Sequence, residues 1–126
     1  MQRHTRQRAA ILAAFEQAGR PLAPAEVRRA AAGGASSLGM ATVYRAIHQL
    51  LEDGWLVAVD LPGESARYEV SGKRHHHHFQ CRQCGKVYEV PGCLKDVGAL
   101  TPRGFRVTGH EVVLYGKCSA CLRGWR

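Results

Sequence analysis

Residues 75–84 read HHHHFQCRQC, and residues 118–121 read CSAC. Imidazole nitrogen and thiolate sulfur are the donors that zinc and iron prefer in proteins. Four histidines and two CxxC pairs gather these donors into the second half of a 126-residue chain. The pattern predicts a protein that is built around metal.

The two CxxC pairs are Cys81/Cys84 and Cys118/Cys121. Together they supply the four thiolates of a closed tetrahedral zinc site, which is structural because no position is left open for a substrate. A thioredoxin-like redox pair is the alternative, but it requires a βαβ setting that the flanking sequence does not offer. A CxxC oxidoreductase or a metal hydrolase is therefore the least favoured class, and we expect no enzyme.

The histidine run predicts two further sites. If the run is extended, successive side chains point to opposite faces, so His75 and His77 face one way while His76 and His78 face the other. One strand can therefore serve two separate metal sites.

The formal net charge of +8, counted with neutral histidine, is unevenly placed. Residues 1–62 carry seven Lys and Arg against five Asp and Glu, a net charge of +2, whereas residues 63–126 carry eleven against five, a net charge of +6. A zinc ion with four thiolates carries −2, which offsets part of the second excess. The charge is compatible with nucleic-acid binding but does not establish it.

The sequence also indicates the cellular compartment of the protein. No stretch approaches the ~20 apolar residues of a membrane span, and the first residues lack the apolar core of a signal peptide. We expect a cytoplasmic protein with no membrane partner. In that reducing compartment the five cysteines are not expected to form a disulfide framework.

Three short helices are predicted in the first half of the chain. Thr5 can cap the first helix, and Pro24 can occupy the first turn of the second. Ser36 or Ser37 can cap a third helix over residues 38–53.

A β-hairpin follows, with strands predicted at residues 55–59 and 65–70. Three helices and a hairpin describe a winged helix-turn-helix, in which the third helix enters the major groove of DNA. The predicted fold class is α+β, with this winged helix followed by a small α/β domain that carries the four-cysteine zinc site.

The third predicted helix has two different faces. Its apolar stripe consists of Val43, Ile47, Leu50 and Leu51. The opposite face carries Ala41, Tyr44, Arg45 and His48, with Thr42 beside them. Arginine can pair with guanine, alanine and tyrosine can contact thymine methyls, and threonine suits phosphate oxygens. This face is a candidate for reading DNA, with Arg6 and Arg8 as candidate phosphate contacts; a solvated helix face is the alternative.

The sequence resembles the ferric-uptake-regulator (Fur) family over nearly its whole length. Four motifs in the family's order carry the resemblance: Thr5-x-x-Arg8 with Ile11-Leu12, residues 41–45, residues 75–86 and residues 109–121. The resemblance implies a homodimeric, metal-dependent transcriptional regulator, usually a repressor, of metal-homeostasis genes. It also implies AT-rich palindromic DNA operators, a winged-helix domain at residues 1–66 and a dimerisation domain at residues 67–126.

The resemblance further implies two more metal sites, a regulatory (sensory) site and a second His site. The sensory site would use Glu69, His76, His78 and Glu89. The second His site would use His75, His77 and His110, with a fourth ligand that is either Asp96 or Cys93. The chain departs from the family pattern near Leu22. Relatives often supply a sensory ligand at about this position, but this chain has no histidine nearby.

Cys93 bears on which metal is sensed. A fifth cysteine outside the pairs is more often a small apolar residue than a ligand. Beside three histidines, however, a thiolate favours zinc over iron or manganese. We therefore expect structural Zn²⁺ and regulatory Zn²⁺ or Fe²⁺, with zinc favoured as the sensed metal; an iron-responsive regulator or a peroxide sensor of the same family is the alternative.

Overall fold

The computed structural model describes residues 2–32, 38–93 and 97–124. The chain divides into two units, Met1–Lys73 and Arg74–Arg126. No helix within the described ranges is both long and apolar enough to cross a membrane.

The first unit begins with three helices: α1 (Gln2–Ala18), α2 (Pro24–Ala32) and α3 (Met40–Glu52). Thr5 lies inside α1 and is not its N-cap, because the helix already begins at Gln2. Gly19 ends α1 in the left-handed conformation, with φ of 62°, which costs glycine little.

The start of α3 also differs from the prediction. Its N-cap is Gly39, which has an extended backbone and no side chain that could cap the helix. The predicted caps Ser36 and Ser37 lie outside the described residues. The residue at the N-cap position is therefore a glycine and not the serine that the sequence pattern favoured.

The start of α2 is held by Glu26 at its third helical position. The backbone N–H of Ala23 donates to Oε1 of Glu26 over 2.9 Å, which is one half of a capping box. Arg20 Nη2 pairs with Oε2 of the same carboxylate at 2.7 Å. Burial by itself would raise the pKa of Glu26, but the Ala23 N–H and the Arg20 guanidinium outweigh it, so the pKa lies below its ordinary value.

The predicted hairpin is present as two antiparallel strands, β1 (Leu56–Val59) and β2 (Arg67–Val70). Leu22 forms a bridge to Tyr68 on the other side of β2, with N–H to carbonyl distances of 2.8 and 3.0 Å. The predicted domain boundary between residues 66 and 67 would separate β2 from β1. Because the two strands pair along their length, the first unit instead runs through Lys73.

One apolar core joins the three helices to the hairpin. Val43, Ile47 and Leu50 of α3 are buried in it, as the helical spacing predicts, and Leu51 packs against it. The other buried members are Ile11, Phe15, Leu22, Val27, Ala31, Leu38, Ala46 and Leu56. The predicted winged helix-turn-helix is confirmed.

The second unit is a three-stranded sheet with short helices. Its strands are β3 (His76–Cys81), β4 (Val87–Pro91) and β5 (Val113–Gly116), in the order β4-β3-β5. The central strand β3 pairs antiparallel with β4 and parallel with β5. A 3₁₀ helix (Val97–Leu100) and α4 (Ser119–Leu122) complete the unit, so the predicted α+β class is confirmed.

Candidate metal centres and nucleic-acid interface

The two CxxC pairs come together in one cluster, which we call the four-cysteine clamp: Cys81, Cys84, Cys118 and Cys121. Its four sulfurs lie within 4.8 Å of one another. The Sγ atoms of Cys81 and Cys121 are 3.6 Å apart, and those of Cys84 and Cys118 are 3.8 Å apart. A tetrahedral zinc ion with Zn–S bonds of about 2.3 Å requires sulfurs about 3.8 Å apart. The donor set and its spacing therefore fit zinc.

The backbone around the clamp prepares the sulfurs for metal. Cys81 ends β3, and the chain turns back at Gly85, whose φ is 80° and whose N–H donates to the Cys81 carbonyl over 2.9 Å. The N–H groups of Cys84 and Cys118 each donate to Cys81 Sγ over 3.4 Å. The Cys84 N–H, with these neighbours, lowers the pKa of Cys81 to about 6.

Crowding has the opposite effect on the fourth sulfur. Burial beside the other three cysteines raises the pKa of Cys121 to about 12. Four adjacent sulfurs cannot all ionise unless a cation lies among them. A zinc ion supplies that charge, which makes ligation and ionisation of this clamp one event.

A second group of donors gathers around Cys93, which is exposed. We call it the imidazole–thiol cluster: His75, His77, Cys93 and His110. The Nε2 atom of His75 lies 3.2 Å from that of His77 and 3.3 Å from that of His110. Cys93 Sγ lies 2.8, 3.3 and 3.6 Å from Nε2 of His110, His77 and His75.

Four of these five distances suit a single small cation, whereas the 2.8 Å between Cys93 Sγ and His110 Nε2 is shorter than a metal-spanned edge. Tetrahedral zinc with ordinary Zn–N and Zn–S bonds requires N···N edges of about 3.4 Å and N···S edges of about 3.6 Å. Of the two alternatives for the fourth ligand, Cys93 points its sulfur at the three histidines, whereas Asp96 lies outside the described residues. Among the residues that the structure describes, the cluster has four donors, and none of them is a carboxylate.

His77 is the buried member of the cluster, with 5% of its surface exposed. The backbone N–H of Val112 donates to its Nδ1 over 3.1 Å, so a neutral ring carries its proton on Nε2. Burial, together with the neighbouring imidazoles, lowers the pKa of His77 and favours that neutral ring. Metal entry at Nε2 has to displace this proton.

The other face of β3 carries His76 and His78, whose ring centroids are 4.8 Å apart. Glu89 of β4 lies opposite His78, and its Oε1 is 3.9 Å from Nε2 of His76. His76 Nδ1 donates to the Arg74 carbonyl over 2.7 Å, which leaves its Nε2 as a lone-pair donor suited to a metal. The two pairs of histidines thus use opposite faces, as strand alternation predicts.

Glu69, the remaining predicted sensory ligand, belongs to β2 of the first unit. It is only 4% exposed, and its Oε1 lies 3.9 Å from Nζ of Lys73. Burying a carboxylate is costly unless a cation or donor compensates it. Leu22 is buried in the apolar core of the same unit, so its side chain offers no ligand.

The α3 face that the sequence assigned to DNA is exposed. Tyr44 is 55% exposed, and Ala41, Arg45 and His48 are also exposed. Arg45 Nη2 donates to Thr42 Oγ1 over 3.3 Å, so the guanidinium stays near the start of the helix. A groove of about 360 Å³ runs along this face. It is lined by Tyr44, Arg45, Ile47, His48, Leu51 and Tyr68.

The two predicted phosphate contacts on α1 differ. Arg6 is exposed, whereas Arg8 pairs with Asp53 at 3.0 Å. Exposed pairs of this kind contribute at most about 1 kcal/mol, so a phosphate can compete for Arg8.

Sequence reasoning missed the backbone groups that orient the histidines. The Arg74 carbonyl and the Val112 N–H fix the rings of His76 and His77. Peptide groups occur at nearly every residue, so no sequence pattern could have singled these two out.

A winged helix with an exposed face on its third helix, in a chain with clustered His and Cys side chains, is the combination expected of a protein that binds metal and DNA. The model of the ferric uptake regulator family matches residues 2–115, and the chain belongs to that family. The family is one of regulators and not of enzymes.

Individual relatives agree with this assignment. The ferric uptake regulation protein of Campylobacter upsaliensis is 37% identical over 89 residues, which cover 68% of this chain and 57% of the relative. The chain therefore spans less than two thirds of the length of such curated relatives.

Solved structures are similar over more of the chain. A ferric uptake regulator from Francisella tularensis, solved with iron, has a TM-score of 0.70 and 28% identity over 92% of this chain and 91% of its own. A zinc-bound manganese uptake regulator has a TM-score of 0.75 and 26% identity over 89% and 87% of the two chains. The relatives thus differ in the metal that they are named for.

Proposed function

We propose that this protein is a metal-responsive, DNA-binding transcriptional regulator, acting as a repressor of metal-homeostasis genes. It would bind as a homodimer to a palindromic, AT-rich operator in the cytoplasm. The observation that carries the proposal is that one chain combines an exposed reading face on the third helix of a winged helix with clustered metal donors. An oxidoreductase or a hydrolase would have no use for that face.

The proposal gives the α3 face its roles. Arg45 would pair with guanine O6 and N7, and Tyr44 and Ala41 would contact thymine methyls. Thr42, with Arg6 and Arg8 of α1, would contact phosphates. The exposure of Tyr44 and Arg45 supports these roles, because neither side chain is needed in the core.

The metal sites would have two different roles, one structural and one regulatory. The four-cysteine clamp would hold structural zinc. Regulatory metal would bind to the sensory site, Glu69, His76, His78 and Glu89, and to the imidazole–thiol cluster. Ligation strengthens operator binding if the ligands are better arranged in the DNA-binding state, and such coupling typically amounts to 1–3 kcal/mol.

We favour zinc as the sensed metal. The argument is the sulfur of Cys93, 2.8 Å from His110 and 3.3 Å from His77, because a thiolate among imidazoles suits zinc better than iron or manganese. Iron is the second candidate. It is supported by the iron-named relatives and by the His and carboxylate donors of the sensory site.

The test starts from duplexes selected out of a random-sequence DNA pool by the zinc-loaded protein. Arg45→Ala should weaken binding to the selected duplex roughly 10- to 100-fold, the usual cost of one lost bidentate base contact. Arg29→Ala, which removes an equally charged exposed side chain from α2, is the matched control and should bind like the wild type. Equal binding by both variants would contradict the proposed reading face.

A further inference from the structure

The groove along α3 has an apolar part that the proposed DNA contacts do not use. Its lining includes Ile47, which is 2% exposed, the partly buried Leu51, and Tyr68 of β2. Bases are read by hydrogen bonds and methyl contacts from exposed side chains such as those of Tyr44 and Arg45. The apolar lining therefore has no role in the proposed reading of DNA.

The groove has the size and composition of a small-molecule site. Such sites measure roughly 300–1,000 Å³ and are lined mainly by apolar and aromatic side chains with a few polar groups. This groove measures about 360 Å³. Leu51 packs against the core, and the backbone of Tyr68 is bonded to Leu22 on one side and paired with Ala58 on the other. The walls of the groove are therefore held in place before a ligand binds.

The polar groups of the groove favour an anion. Arg45 is exposed, its guanidinium donates to the neutral hydroxyl of Thr42, and no carboxylate pairs with it in the part of the chain that the structure describes. Glu52 is a neighbouring acid, and its Oε2 lies 3.8 Å from Nε2 of His48. A guanidinium has paired donors that match the two oxygens of a carboxylate. Arg45 can therefore pair with the carboxylate of a ligand.

We propose that the groove binds a planar aromatic carboxylate of one or two rings. The carboxylate pairs with Arg45, and the rings pack against the apolar lining, Tyr44 and Tyr68. Aromatic rings pack favourably in offset or edge-to-face arrangements, and the groove offers two tyrosines for such contacts. An aliphatic acid would lose the ring contacts, and an uncharged aromatic compound would lose the pairing with Arg45.

This ligand and DNA would exclude each other. That consequence rests on the proposed function, because it follows only if Tyr44 and Arg45 contact bases. A guanidinium that holds a carboxylate is not available to guanine, so each ligand lowers the affinity of the protein for the other by the same factor. An aromatic acid would thus release the protein from its operator without removing any metal.

The experiment titrates naphthoate into the zinc-loaded protein in the absence of DNA and follows amide NMR shifts. Saturable shifts should appear in α3 and β2, around Leu51 and Tyr68. Naphthamide keeps the rings but lacks the charge, so it should bind about 10- to 100-fold more weakly, as expected when a charge-assisted pair is lost. Acetate should not saturate where naphthoate does. Equal affinities for naphthoate and naphthamide, or shifts that never saturate, would overturn the proposal.

Two variants test the residues separately. Arg45→Gln should bind naphthoate as weakly as the wild type binds naphthamide, whereas Arg29→Gln, which removes an exposed charge from α2, should bind it like the wild type. Tyr68→Leu keeps apolar bulk but removes one ring, so naphthoate should bind about 2- to 10-fold more weakly. That variant should keep its affinity for the selected duplex, which also checks that it folds. Unchanged naphthoate affinity in Arg45→Gln would place the ligand elsewhere and overturn the proposal.

Competition with DNA separates this inference from the proposed function. Saturating naphthoate should displace the selected duplex from the wild type, and simultaneous binding of both would contradict the exclusion. If no duplex can be selected, the proposed function fails while the NMR titration still decides whether naphthoate binds. If the duplex binds as proposed but naphthoate gives no saturable shift, this inference alone is wrong.

Discussion

The two units of this chain differ in how many apolar side chains they bury. In the first unit, a continuous apolar core joins three helices and a hairpin around Phe15, Val27 and Leu50. In the second, the described residues bury few apolar side chains, chiefly Cys81, Val87 and Cys118, and two of these three are proposed zinc ligands. We therefore propose that burial stabilises the first unit and metal ligation the second.

The difference in buried apolar surface follows from the small size of the second unit, and it bears on how metal could act as a signal. A domain well below ~70 residues rarely buries enough apolar surface to fold without a staple, and the second unit is of that kind. Where folding and ligation are linked, stability depends on metal. Metal can therefore act as a signal in the second unit, while the first keeps its shape.

The largest expected effect comes from breaking the clamp. Cys121→Ser should remove the structural zinc and unfold the second unit, because such zinc contributes on the order of 10–16 kcal/mol in apparent binding energy. Metal analysis and amide hydrogen exchange should show lost zinc and lost protection in β3–β5, with α1–α3 still protected. Cys93→Ser is the control and should retain clamp zinc. If the amides of β3 remained protected from exchange in protein without zinc, the second unit would not depend on zinc for its stability.

The converse change is Phe15→Ala in the first unit. Phe15 is 1% exposed, and truncating a buried Phe typically costs 3–5 kcal/mol. Denaturant unfolding should show that loss, while zinc content stays the same. Glu16→Ala, at the exposed neighbouring position, should be nearly neutral. Zinc loss in Phe15→Ala would mean that the units do not fold by separate means.

A smaller effect is expected at the imidazole–thiol cluster. His110→Ala removes one of four donors and should weaken zinc binding there about 10- to 100-fold or more. Competition with a chromophoric chelator measures this affinity, with clamp zinc unchanged. His48→Ala removes an exposed histidine from α3 and should leave the affinity as it is. Unchanged affinity in His110→Ala would exclude the cluster as a metal site.

The smallest effect is the pH dependence of the first unit. The pKa of Glu26 in the folded protein lies below its unfolded value, so its contribution is present above that value and is lost as the pH falls through the folded pKa. Glu26→Gln should cost about 1 kcal/mol at neutral pH and flatten the acid side of the stability curve. Denaturant midpoints between about pH 7 and pH 3 measure this. Glu16→Gln is the exposed control, and an unaltered acid limb in Glu26→Gln would contradict the assignment.

Much of the fold and of the candidate sites could be predicted from the sequence, because these features depend on local periodicity and spacing. The spacing of Val43, Ile47 and Leu50 predicts the buried face of α3, and the alternation along residues 75–78 predicts two faces of histidine. By contrast, the N-cap at Gly39 and the extension of the first unit to Lys73 were missed. Caps depend on the local backbone, and the boundary depends on the pairing of β2 with β1.

The fourth donor of the cluster could not be chosen from sequence for a similar reason. Cys93 and Asp96 are close along the chain, and the choice depends on how the turn after β4 directs a side chain toward His110. That direction is a tertiary property. The sulfur distance of 2.8 Å gives Cys93 its place in the cluster.

The central claim is that metal outside the clamp controls DNA binding. The most direct measurement is the affinity for the selected duplex of protein that retains only clamp zinc, before and after zinc is added. The account predicts tighter binding by about 5- to 150-fold, the range of a 1–3 kcal/mol coupling. Equal affinity in both states, with Arg45→Ala still weakening binding, would leave a DNA-binding protein that does not sense metal and would contradict the account.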